Sequence, residues 1–276
     1  MSEAKGMVIK MEDTSNKMNL TALITSKCTL KCKLCATYAP IHPSPCHYPY
    51  EQITRGVERF FNSIDHVRLF TISGGEPLLH PQLPEMVDFF AAYINQIELF
   101  EIITNGTVVP GERLLQSLRF SDKVDIMVDD YGPELSTKVP QIVDAFKKYG
   151  IKHRVRKYYG EDAHYGGWLD ISDFSDKQRT EKENEELFAR CMYTTTFKNH
   201  IFIINGTAHM CYINKQLLDF VSDDPSEYVD LMDDTLSATD IKAQLISLRN
   251  RRRLSVCSYC NGFCVDAERY TPAEQL

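Results

Sequence analysis

Two hydrophobic periods alternate along the first two thirds of the chain. Leu20-Thr-Ala-Leu-Ile-Thr25 and Val67-Arg-Leu-Phe-Thr-Ile72 read as strands, and so do 98–103, 124–129 and 151–156. Between them the apolar spacing becomes helical. Ile53, Val57, Phe60, Phe61 and Ile64 share one face, and Leu83, Met86, Val87, Phe90 and Tyr93 share another. A third helix is expected over Glu112–Leu118. A fourth carries Val139, Ile142, Val143, Phe146 and Tyr149. This β-α alternation predicts an α/β fold with a parallel sheet. Five strands are clear, and a sixth of the same kind is not evident.

The rhythm breaks after residue 156. Residues 157–180 mix aromatics with Glu161, Asp162 and His164, as a substrate-lining loop or as a loop packed on the sheet. Thr180–Arg190 reads as an acidic, solvated helix. His200–Ile204, Asn205-Gly206 and Thr207–Cys211 predict a β-hairpin, Asn-Gly supplying the positive φ angles of a type I′ turn and Cys211 lying on the returning strand. Ser237-Ala-Thr-Asp240 has the form of a capping box, followed by a helix face of Ile241, Leu245 and Leu248. The expected organisation is an arm over 1–17, an α/β unit over 18–180, and a small hairpin-plus-helix unit over 181–276.

Composition adds exclusions. The 276 residues are 43% hydrophobic and 25% charged, with net charge −7, which leaves no broad basic footprint for nucleic acid. Arg251-Arg-Arg253 falls at an expected helix end, where cations suit the dipole better than they suggest a phosphate site. No segment has the length and apolarity of a membrane-spanning helix. Nine cysteines in a chain of this size, without an export signal, fit reduced metal-binding thiols in cytoplasm better than a disulfide scaffold. Pro40–Pro49 contains four prolines with His42, Cys46 and His47. It is expected to shape a wall of the active site, a second metal site being the other reading.

The densest chemistry is Cys28-x3-Cys32-x2-Cys35, directly after the first strand. Thiolates suit iron–sulfur clusters, and three local cysteines leave one iron of a [4Fe–4S] cluster open to a substrate or cofactor. Ser73-Gly74-Gly75-Glu76-Pro77 follows the second strand, and Thr104-Asn105-Gly106-Thr107 the third. A second set, Cys191, Cys211, Cys257, Cys260 and Cys264, occupies the C-terminal third.

Together these motifs resemble those of the radical S-adenosylmethionine (SAM) superfamily, from about Leu20 to Cys264. The resemblance implies a partial (β/α) barrel. It implies that Cys28, Cys32 and Cys35 hold a [4Fe–4S] cluster whose open iron chelates SAM, and that reductive cleavage of SAM gives a 5′-deoxyadenosyl radical. It assigns Ser73, Gly74, Gly75, Glu76 and Pro77 to the SAM site, Gly74 and Gly75 bringing backbone to the methionine moiety, Glu76 accepting from its ammonium and Pro77 fixing the turn, with Leu34 at adenine and Asn105 and Asp129 at the ribose. Asp130, Tyr131, Glu161 and His164 are candidate proton-transfer residues. The second set resembles a twitch domain, the shortened form of the SPASM domain. That likeness implies an auxiliary [4Fe–4S] cluster on Cys191, Cys211, Cys257 and Cys260, with Cys264 able to replace one of them. A four-cysteine zinc site is the structural alternative. Twitch-bearing relatives include aminocyclitol dehydrogenases, which points to oxidation of a small molecule such as a sugar, cyclitol or nucleotide-linked metabolite. Radical modification of a ribosomally made peptide is the alternative, although residues 1–17 are too few for a leader-recognition domain. A flavodoxin or ferredoxin is the implied electron donor. An electron carrier or iron–sulfur sensor is the non-enzyme reading.

Overall fold

The computed structural model describes residues 18–197, 199–218 and 224–276. The expected arm over 1–17 lies outside them. Five parallel strands, β1 (Met18–Leu23), β2 (Val67–Ser73), β3 (Ile97–Thr104), β4 (Val124–Asp130) and β5 (His153–Lys157), are joined in turn by helices. These are α1 (Tyr50–Ser63), α2 (Leu83–Phe90), α3 (Glu112–Ser117) and α4 (Val139–Tyr149). The apolar run expected to carry α2 on to Tyr93 tightens into a 3₁₀ turn over Ala91–Gln96.

The chain then forms α5 (Glu181–Arg190), α6 (Met192–Thr195), β6 (His200–Ile204), β7 (Thr207–His209), α7 (Tyr212–Leu218), β8 (Val229–Asp230) and α8 (Ala238–Arg249). The hairpin forms with the predicted turn, Asn205 and Gly206 both at positive φ (46° and 86°). It is not detached from the barrel. β6 pairs in parallel with β1, giving one eight-stranded sheet in the order β5-β4-β3-β2-β1-β6-β7-β8. The sheet thus runs across residue 180, and the strand beside β1 comes from the hairpin. Cys211 lies just beyond β7, at the entrance to α7, rather than on the returning strand.

Strand alternation explains the two faces of the sheet. Phe70, Ile72, Phe100, Ile102, Ile126 and Val128 point one way and are almost fully buried in the main core. Full burial of such a side chain contributes about 1.5–3 kcal/mol. The opposite face carries a polar row between apolar pairs such as Leu69 with Leu99 and Ile103 with Met127. Thr21, Thr71, Glu101 and Asp125 lie level on adjacent strands, and Thr71 Oγ1 donates to Glu101 Oε1 at 3.2 Å. Arg154 bonds Glu101 at 2.8 Å and Asp125 at 2.7 Å. Burial raises the Glu101 carboxyl, while Arg154 and Arg156 pull it back down. Buried charges persist when paired in this way.

The Pro-rich loop packs behind the first cysteine segment rather than lining a cavity. Ser26 N donates to Cys46 O (2.9 Å), and Thr25 Oγ1 bonds His47 Nδ1 (2.9 Å). The capping box at Ser237 is present: its hydroxyl accepts from Asp240 N at 3.2 Å, and Asp240 accepts from Ser237 N at 2.9 Å. Among the described residues no helix is long and apolar enough to cross a membrane.

Candidate active site

A cavity of about 320 Å³ opens at the C-terminal ends of the parallel strands, the end where barrel folds collect their chemistry. The strands deliver Ser73, Ile103, Asp129 and Arg156 to it. The loop after β1 delivers Cys28, Cys32, Leu34 and Cys35.

Close backbone contact holds the cysteine loop against the turn after β2. Gly75 N donates to Thr25 O and Glu76 N to Lys27 O, both at 2.8 Å. A Cβ at Gly74 would sit 2.4 Å from Thr25 O, and one at Gly75 would sit 2.2 Å from Lys27 O. Only glycine permits this approach.

Glu76 is completely buried and does not line the cavity. Its carboxylate accepts from Asn105 N (2.8 Å), Leu78 N (3.0 Å) and Thr104 Oγ1 (2.9 Å), so it locks the turn after β2 to the turn after β3. Burial raises its carboxyl to about 7 against those hydrogen bonds. Pro77 is likewise buried outside the cavity, at the start of a 3₁₀ turn. Asn105 lies over the cysteine loop: its amide donates to Thr29 Oγ1 at 3.0 Å and reaches Cys28 Sγ at 3.5 Å.

Asp129 and Arg156 stand opposite each other on β4 and β5. They form a bidentate pair, Nε to Oδ1 at 2.7 Å and Nη2 to Oδ2 at 2.9 Å. Burial raises the Asp129 carboxyl, and Arg156 opposes it. Of the four candidate proton-transfer residues only Tyr131 lines the cavity, its hydroxyl 3.5 Å from Asp129 Oδ2. Asp130 turns to cap Gly132 N at 2.9 Å. Glu161 is exposed on the turn at Gly160. His164 packs edge-on against Tyr158 behind the wall.

Sequence reasoning missed Arg156, Arg269 and Tyr212, and did not single out Tyr158 or Trp168, all of which line the cavity. Tyr131 stacks on Tyr158 at 5.2 Å and meets Trp168 edge-on at 5.5 Å. The aromatic content of 157–168 was the available signal. Nothing in the local pattern marked Arg269, which returns from over a hundred residues later.

The cysteines are all free thiols. Burial raises the Cys28 and Cys32 thiols, Cys32 to about 12, and charge on neighbouring members of the trio raises them further. Thiols crowded in this way fit a cluster, which compensates their ionisation on binding.

Cys191, Cys211, Cys257 and Cys260 line a second, narrow cavity of about 30 Å³, otherwise walled mainly by apolar side chains. Burial raises all four, Cys191 to about 11 and Cys257 to about 12. Arg179 Nη1 fixes the Cys257–Cys260 turn by donating to both carbonyls, at 2.9 and 2.8 Å. Cys264 bridges Cys191 through the backbone but is not in this lining. Among the described residues no three His, Cys, Asp or Glu side chains converge on a single ion. Phe263 lines both cavities. Buried Tyr38 donates to Ile171 O at 2.7 Å, and its phenol is raised by burial first and then by Cys260, Cys211 and Cys35.

The family model of the radical SAM superfamily matches residues 23–161, about half of the chain. The chain belongs to that superfamily, whose members use a [4Fe–4S] cluster and SAM. Among curated relatives, a probable GTP 3′,8-cyclase of Methanococcus maripaludis is 32% identical over 119 residues, 42% of this chain and 38% of that protein. The match therefore spans well under half of the relative's length. Two solved structures share the fold. Native anSMEcpe with bound AdoMet has a TM-score of 0.54 at 17% identity, covering 90% of this chain and 89% of the other. BtrN in complex with AdoMet and 2-DOIA has a TM-score of 0.53 at 16% identity, covering 94% and 98%.

Proposed function

We propose that the chain is a radical SAM oxidoreductase that removes hydrogen from a small molecule and passes an electron to an auxiliary cluster. When bound, the first cluster and SAM supply a carbon radical that takes a hydrogen atom from the substrate. An auxiliary cluster, held by Cys191, Cys211, Cys257 and Cys260, would supply an acceptor for the electron left behind, and loss of one hydrogen atom, one proton and one electron would make up a two-electron oxidation. Cys28, Cys32 and Cys35 hold the first cluster in this reading. Gly74 and Gly75 present backbone to the methionine end of SAM, with Leu34 against adenine and Asn105 and Ser73 at the rim. Asp129 and Arg156 orient polar groups on the cavity wall, and the Asp129 carboxylate, with Tyr131 beside it, is placed to take the proton. The aromatic wall of Tyr131, Tyr158 and Trp168 excludes water. A one-electron donor such as a flavodoxin or ferredoxin reduces the first cluster.

The observation that carries this reading is the shared wall. Phe263 lines both the main cavity and the pocket of Cys191, Cys211, Cys257 and Cys260. A redox group there would lie within one side chain's thickness of a bound substrate. The likeness to a probable GTP 3′,8-cyclase is compatible with a nucleotide-linked substrate. A peptide substrate is favoured by one feature, an adjoining groove of about 750 Å³ that shares Tyr131, Tyr158 and Arg269 with the cavity.

Iron, sulfide and zinc per chain, measured after anaerobic reconstitution, test the assignment. We expect about eight irons in the wild type and about four in Cys28→Ala/Cys32→Ala/Cys35→Ala. Four irons with one zinc in the wild type, and zinc alone in the triple variant, would remove the oxidative role given to the second set.

A further inference from the structure

The segment from Tyr270 to Leu276, most of which lines the adjoining groove, is also bound to the first cysteine loop. Lys33 N donates to Glu274 O at 2.7 Å, and Leu276 N to Lys31 O at 2.9 Å, around an antiparallel bridge between Cys32 and Gln275. Ala273 is 1% exposed and packs with Leu30 and Cys32. At its other end the segment pairs with the aromatic wall: Trp168 N donates to Tyr270 O and Tyr270 N to Trp168 O, both at 2.8 Å. A Cβ at Gly167 would lie 2.6 Å from Tyr270 O. One short stretch therefore ties the cysteine loop to the loop that carries Trp168.

The Gln275 side chain is oriented by its partners. Its Oε1 accepts from Lys31 N at 2.8 Å, and its Nε2 donates to Ala273 O at 2.7 Å and to Cys32 Sγ at 3.4 Å. Exchanging oxygen and nitrogen would set like against like at the first two contacts, so the network itself directs the donor at sulfur. Hydrogen bonds to cluster sulfurs raise reduction potential, because the reduced state carries more negative charge on them.

We propose that residues 270–276 form a strap that completes the first cluster site, with Gln275 a positioning residue whose amide holds the Cys32 sulfur and raises the potential of the cluster bound there. The inference rests on Cys28, Cys32 and Cys35 being its ligands. Removing the amide makes the cluster harder to reduce, and a carboxylate in its place makes it harder still.

The test is an EPR-monitored redox titration of the reconstituted protein, following the signal that changes when SAM is added. In Gln275→Met the ratio of reduced to oxidised cluster at a fixed applied potential is expected to fall about three- to tenfold, tenfold being about 59 mV for one electron. Gln275→Glu should fall further. Unchanged ratios in both variants overturn the proposal. If Gln275→Met retains no cluster, alkylation of Cys32 is compared by mass spectrometry in cluster-free wild type and variant. Labelling several-fold faster in the variant supports the strap, and equal labelling overturns it. A wild type that itself takes up no iron at Cys28, Cys32 and Cys35 refutes the ligand assignment instead, which keeps the two failures distinct.

Discussion

Gly75→Ala is the smallest change that should disassemble the first cysteine site. The added methyl would stand 2.2 Å from Lys27 O, 2.6 Å from Lys27 C and 3.1 Å from Cys28 Cβ, where ordinary contact begins at 3.4 Å. The two backbones must therefore part by more than an ångström. That separation breaks the bonds from Gly75 N to Thr25 O and from Glu76 N to Lys27 O, each worth about 1 kcal/mol net. Residual overpacking strain adds about 1–3 kcal/mol, for a total of roughly 3–5 kcal/mol. The displaced atoms belong to Lys27 and Cys28, so the damage falls directly on a proposed ligand. We expect urea unfolding to show that loss of stability, and reconstitution to deliver about four fewer irons per chain than wild type. Gly150→Ala is the control. It sits at φ 67° with nothing within 4 Å of where the added methyl would stand, should cost only about 1–2 kcal/mol, and should load iron normally. A Gly75→Ala protein as stable and as iron-rich as wild type would refute the argument that close approach at this turn builds the site.

Two further outcomes follow from the buried carboxylates. Arg156→Met leaves Asp129 buried without its bidentate partner; about 3 kcal/mol of stability should be lost, and Asp129→Asn/Arg156→Met should recover part of it in a double-mutant cycle by urea unfolding. No loss in the single variant would mean that the pair is not what makes the buried charge tolerable. Glu76 titrates higher folded than unfolded, from 4.5 to about 7, so the native state binds the proton more tightly. Its contribution is fully present below about pH 4.5 and is lost as pH rises through about 7. Between pH 5 and 8 the wild type should lose about 2–3 kcal/mol more than Glu76→Gln, and parallel pH profiles would contradict this.

How much of the site was legible depended on whether its chemistry was local. Cys28, Cys32 and Cys35 lie within eight residues, and Gly74 and Gly75 directly follow a strand, so short stretches of sequence were enough to carry the resemblance that grouped them. Glu76 was legible as a motif residue but not as a lock between two turns, because its partners Thr104 and Asn105 belong to the next strand-turn unit. Glu161 looked catalytic by residue type, yet the turn at Gly160 carries it outward to solvent.

By itself the sequence determined the alternation of strands and helices, the type I′ hairpin turn, the capping box at Ser237 and the two groups of cysteines. Each is encoded over a few residues by side-chain period, backbone preference or donor chemistry. Only the tertiary structure decided that β6 pairs with β1, that Arg156 faces Asp129 from the adjacent strand, that Phe263 lines both cavities, and that Gln275 reaches Cys32. These are long-range contacts, chosen by which surfaces pack together when the whole sheet closes, and no window along the chain contains both partners.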